Sequence, residues 1–85
     1  MSPEKLARMA NQIGKFFQHR PEAQAVADTA DHLRKYWDPR MRRDIVAYLE
    51  NGGVGLDPIV KKAVADIGAD LKYHHLHPAA VEGEE

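Results

Sequence analysis

The chain has no cysteine and only one serine, Ser2. Without thiols there is no disulfide framework, no thiolate metal site, no ligand set for a typical iron–sulfur cluster and no Cys nucleophile. The redox compartment is left open. No Ser, His and Asp set stands out, so enzymatic activity by this chain alone is not expected. No apolar run approaches the ~20 residues needed to span a bilayer, and MSPEKLARMANQ carries charges where a signal peptide would be continuously apolar. The expectation is a soluble cytoplasmic protein with no membrane partner. A general basic excess is also missing: the net charge is -1, whereas a strong nucleic-acid binder usually shows a clear surplus over its whole domain.

What the chain does have is charge separation. Residues 1–43 carry nine Lys or Arg against five acids, and residues 44–85 carry three against eight, so the halves stand at +4 and -5. A fold that keeps this division presents a basic and an acidic face, which would orient an encounter with a partner. The basic charge concentrates in HLRKYWDPRMRR, His32 to Arg43, which holds the only Trp and five of the twelve Lys and Arg residues. Asp38-Pro39 at its centre is a helix start, because the carboxylate caps free N–H groups and Pro tolerates the first turn. Trp37 therefore sits at a corner between two helices, beside Arg34, Lys35, Arg40, Arg42 and Arg43. An indole among anion-pairing groups on a rigid backbone has the make-up of a binding hot spot.

The hydrophobic pattern predicts an all-α fold, a small bundle of about four helices. Ser2-Pro3-Glu4 reads as N-cap, first-turn Pro and dipole-facing acid, and Leu6, Met9, Ala10, Ile13, Phe16 and Phe17 recur at helical spacing to about His19. A second helix starts at Pro21, with Val26, Ala30, Leu33 and Trp37 as its stripe. A third starts at Pro39, buries Met41, Ile45, Tyr48 and Leu49, and stops at Asn51-Gly52-Gly53, where Gly accepts the left-handed conformation. Asp57-Pro58 repeats the helix-start chemistry, and a fourth helix follows to about Leu71 with Val60, Val64, Ile67 and Leu71 on one face. Residues 1–72 form the helical domain, and 73–85 are expected to be a flexible, His-containing acidic tail. Eighty-five residues bury only roughly 60–65% of the unfolded surface, so the core is thin and a partner would supply further burial.

Other candidate chemistry is weaker. His74, His75 and His77 lack the i, i+4 spacing of a preorganised helical metal pair and have no Cys beside them, so no metal site is expected. GGVG at 52–55 lacks the preceding strand and following Lys-Ser or Lys-Thr of a P-loop and reads as a helix stop. Helix two, the Trp-Asp-Pro turn and helix three form a helix-turn-helix-like arrangement, the basis of an alternative reading as a nucleic-acid-binding protein; a self-associating scaffold is a third. Against the interaction reading, Trp37 also suits a core plug and the basic cluster a solvated face. In its favour, Phe16 and Phe17 are adjacent and cannot both reach the same strip of a thin core. Asn11 and Gln12 lie between core residues of helix one, where they either face water or bind backbone groups of another chain.

SPEKLARMANQIGKFF, AVADTADHLRKYWDPRMRR and the Gly-rich stop followed by GLDPIV resemble the delta subunit of the NAD-dependent, molybdenum-containing formate dehydrogenases. The resemblance covers about residues 2–64, with MANQI plus the Phe pair and WDPRM as its best blocks; residues 18–28 and the tail carry nothing over. It implies a small accessory component of a soluble cytoplasmic complex. In that family an alpha subunit holds the bis-molybdopterin guanine dinucleotide at which formate becomes carbon dioxide, and iron–sulfur clusters lead to an FMN site that reduces NAD. The chain would bind no cofactor by itself. It would assist assembly, stability or cofactor loading of the catalytic molybdenum subunit. At the corner, Arg34, Lys35, Arg40 and Arg42 would pair with carboxylates of that subunit or with cofactor phosphates. Trp37 and Met41 would supply apolar contact, with Asp38, Asn11, Gln12 and Phe17 completing the surface.

Overall fold

The computed structural model describes residues 2–76, with side chains to Leu71. Four helices follow in order: α1 (Pro3–Phe17), α2 (Glu22–Tyr36), α3 (Pro39–Glu50) and α4 (Pro58–Leu76). All four starts expected from Pro hold to within a residue. Ser2 accepts from the Lys5 N–H at 3.1 Å at the head of α1, and Asp38 accepts from the Met41 N–H at 2.8 Å at the head of α3. These are N-caps in front of a first-turn Pro, each satisfying a donor that has no intrahelical acceptor.

Helix α3 ends as its Asn-Gly-Gly predicts. The Gly53 N–H donates to the Tyr48 carbonyl and the Gly52 N–H to the Leu49 carbonyl, both at 3.0 Å, while Gly52 takes φ +119°. The paired bonds form a Schellman stop, and Gly accepts the positive φ without a Cβ penalty. Helix α4 runs five residues beyond its expected end near Leu71. The first helix-breaking residue after Gly68 is Pro78, so local propensity offers no earlier stop. His74 and His75 fall in these added turns. His77 and the rest of the expected tail lie outside the described residues.

Leu6, Ala10, Leu33, Ile45, Val60, Val64 and Ile67 are almost wholly buried, one or more from each helix. Each Leu, Ile or Val so placed contributes roughly 1.5–3 kcal/mol of transfer free energy. α4 packs against all three other helices, most extensively against α2. Its face of Val60, Val64 and Ile67 matches the expected stripe, with Ala63 added and Leu71 half-buried. Ion pairs tie the shell together: Lys15 to Asp57 at 3.0 Å, Arg34 to Asp70 at 2.6 Å, and Lys62 to Glu22. All three join the first half of the chain to α4 or the turn before it. Part of the charge separation seen in sequence is thus neutralised inside the fold.

Candidate partner-binding site

At the α2–α3 corner, Trp37 and Asp38 are both extended, with ψ of 136° and 167°, so the chain turns sharply between the two helices. Pro39 biases Asp38 toward that conformation. The Trp37 N–H closes α2 by donating to the Leu33 carbonyl at 3.0 Å. Its indole turns inward and is only 6% exposed, so it serves as the core plug and shows an edge outward.

The cations beside it divide into two groups. Arg34 is engaged by Asp70 on α4. Lys35 pairs with Asp31 one turn earlier at 3.0 Å, and that hydrogen bond holds its ammonium above the usual 10.5. The side chain is exposed, and the pair is a surface feature of small energetic weight. Asp38 is a cap, and Met41 is half-buried against the core. The second group is available: Arg40 is exposed and pairs with no carboxylate among the described residues. Arg42 is half-buried, and its Nε is buried with no hydrogen-bond partner.

An apolar concavity lies between α1 and the end of α2. Met9, Gln12, Ile13, Phe16, Phe17, His32 and Trp37 line an open groove of about 480 Å³. Phe16 is 70% exposed and meets the Phe17 ring edge-to-face at 5.0 Å. Phe17 in turn lies 6.4 Å from the His32 ring and carries the Arg20 guanidinium over its face at 5.1 Å. His32 continues to Tyr36 at 4.7 Å, and Tyr36 is 72% exposed. A row of four rings therefore crosses the surface, with Phe16 and Tyr36 exposed at its two ends. The adjacent Phe pair divides, but the ring that faces out is Phe16, whereas the surface expected from sequence named Phe17, which is half-buried.

Trp37, Phe17 and Gln12 are brought together in this groove; Asn11 is not. The Asn11 amide binds backbone groups, but those of its own chain. Its Nδ2 donates to the Gly55 carbonyl at 2.8 Å, and its Oδ1 accepts from the Asp57 N–H at 2.9 Å. The Tyr48 hydroxyl adds a bond to the Val54 carbonyl at 2.5 Å. Together they staple the Gly-rich loop to α1 and α3. Asn11→Ala leaves a part-buried N–H without its acceptor and is expected to lower stability by about 1–3 kcal/mol in urea unfolding.

Met9, Ile13 and His32 belong to the groove although sequence reasoning did not select them. The signal was the width of the α1 stripe. Among the described residues, no group of three or more His, Asp or Glu is placed to hold a metal ion, and no helix is long and apolar enough to cross a membrane.

The family model for the NADH-dependent formate dehydrogenase delta subunit FdsD matches residues 5–64 of this chain. The chain belongs to this delta-subunit family. No curated protein and no solved structure matches it. The family assignment makes the chain a subunit associated with a formate dehydrogenase complex. The matched stretch runs from α1 into α4, so every groove residue, the corner and the loop staple of this delta subunit lie within it.

Proposed function

We propose that this delta subunit is a non-catalytic accessory component of a cytoplasmic, NAD-dependent formate dehydrogenase, and that it supports assembly, stability or molybdenum-cofactor loading of the catalytic subunit by binding its surface. The observation that carries the reading is the aromatic groove in a chain of this family. An exposed Phe16 beside a concave, mostly apolar lining is the anatomy of a protein-docking patch. On this reading formate oxidation at bis-molybdopterin guanine dinucleotide, the iron–sulfur relay and NAD reduction at FMN all belong to other subunits. A cysteine-free chain fits that division of labour. Arg34 and Lys35 keep structural partners inside the chain, so Arg40 and Arg42 are the corner cations left for the large subunit.

The experiment is deletion of this chain from its native cells, followed by purification of the formate dehydrogenase. Molybdenum content and formate-dependent NAD reduction are then measured. Loss of both together is the expected result and assigns cofactor loading or retention. Retained metal with a complex that falls apart on gel filtration assigns stability alone. Full activity, full metal and an intact complex would overturn the accessory role. A salt-sensitive mobility shift with duplex DNA would then revive the helix-turn-helix alternative.

A further inference from the structure

The proposed accessory role leaves open which face of the delta subunit binds and what it binds. Charge pairing within the fold answers both. In residues 2–43 four of the five carboxylates have partners: Glu22 holds Lys62, Asp28 holds Arg20, Asp31 holds Lys35, and Asp38 caps α3. On the opposite side of the balance, Lys5, Arg8, Arg40, Arg42 and Arg43 pair with no carboxylate among the described residues.

Two of these surplus cations, Arg8 and Arg40, neighbour groove residues along the chain. Arg8 stands one turn before Gln12 on the same face of α1, and Gln12 lines the groove. Arg40 follows Trp37 by three residues, at the first turn of α3, and Trp37 closes the other side of the groove. Arg42 lies on the other side of α3 from Arg40, one turn before the Val46 that meets Gly68 of α4, and takes no part in the groove. The groove itself holds no carboxylate. An apolar trough with unpaired arginines at two of its borders selects a segment that is apolar at its centre and acidic at its flanks.

We infer that the groove, Arg8 and Arg40 form one docking surface for an acidic-apolar segment of the catalytic subunit. One bulky aliphatic or aromatic side chain of that segment sits between Phe16 and Trp37, and carboxylates to either side pair with the arginines. The inference rests on the accessory-subunit reading and sharpens it: Phe16, which makes no part of the core, becomes the anchor. Salt weakens the arginine contacts and leaves the apolar contact in place, so affinity falls with ionic strength to a plateau.

The test measures binding of the full-length chain to formate dehydrogenase purified from a strain lacking it, at low and high salt. Phe16→Asp is expected to weaken binding by about a hundredfold or more. Arg40→Glu should weaken it about tenfold at low salt and flatten the salt dependence. Val54→Asp, on the exposed Gly-rich loop, should bind as the wild type does. All three positions are exposed, and circular dichroism verifies that each variant remains helical. If the wild type binds and Phe16→Asp binds equally well, the docking surface is elsewhere while the accessory role stands. If Val54→Asp alone loses binding, the loop is the interface. Should the wild type fail to bind at all, the accessory reading falls and this inference with it. A concentration-dependent dimer of the isolated chain, abolished by Phe16→Asp, would overturn the inference by making a second copy the occupant.

Discussion

Trp37→Ala should lose about 3–5 kcal/mol of unfolding free energy, the range for truncating a buried aromatic. The indole is 6% exposed and packs in the same cluster as Leu33, Ile45 and Leu56. Removing it empties the junction of α2, α3 and the loop, and the neighbours on two capped helix ends have little freedom to collapse into the space. A domain of this size typically has only about 5–15 kcal/mol in total, so the variant should be partly unfolded at modest urea. The shift in urea midpoint at unchanged slope measures the effect. A loss below about 1 kcal/mol would mean that the ring contributes little to the core. The consequence for function is direct. Trp37→Ala would weaken partner binding by loosening the fold, so that result alone says nothing about an interface. The exposed Phe16 is the informative position.

This outcome shows what could be read from residues in order and what could not. Helix starts were legible because their chemistry is local: Ser2-Pro3 and Asp38-Pro39 carry cap and first-turn Pro within two residues, and Asn51-Gly52-Gly53 carries its own stop. The α4 face was legible because Val60, Val64 and Ile67 repeat at helical spacing. The end of α4 was not, since no Gly or Pro follows Gly68 until Pro78 to mark a stop. The site was legible only in part. A cation or an amide in a sequence shows its type and not its partner, so Arg34 and Asn11 looked equally available. Their partners, Asp70 and the Gly55–Asp57 backbone, lie 36 and 44–46 residues away. Only the fold determines those pairings.

The same reasoning explains why the hot-spot composition of the corner is scaffolding in large part. Trp37 and Asp38 join two helices, and Arg34 ties α2 to α4. Those tasks use up the residues that looked most like an interface. The residues left over are Phe16, Tyr36, Arg8 and Arg40, none of which the fold needs. A thin core makes this separation sharp, because an 85-residue chain has few apolar side chains to spare. Leaving two large rings about 70% exposed is destabilising to solubility and unhelpful to folding, so a partner is the economical physical reason for them.

A second large effect is expected at Gly14, where α1 crosses α4. A Cβ placed there would lie 2.5 Å from the Val60 Cγ2, well inside the roughly 3.5–4.0 Å of a comfortable carbon contact. Val60 is wholly buried in a helix, where a β-branched side chain has one strongly preferred χ1, so its methyl cannot swing aside. The helices must part instead. Gly14→Leu should therefore cost about 3 kcal/mol or more, the upper range for overpacking. Gly14→Ala sets two effects against each other, a helix-propensity gain of about 1 kcal/mol and a clash of about 1–3 kcal/mol. The clash should win, because the blocking atom is stiff and the gap is more than an ångström short. Combining Gly14→Ala with Val60→Ala adds one methyl on α1, deletes both γ-methyls on α4 and removes the collision. The double variant should then be more stable than the sum of the single losses by at least about 1 kcal/mol. Strict additivity, or a stabilised Gly14→Ala, would show that the two helices have room between them and that Gly14 is not required by their approach.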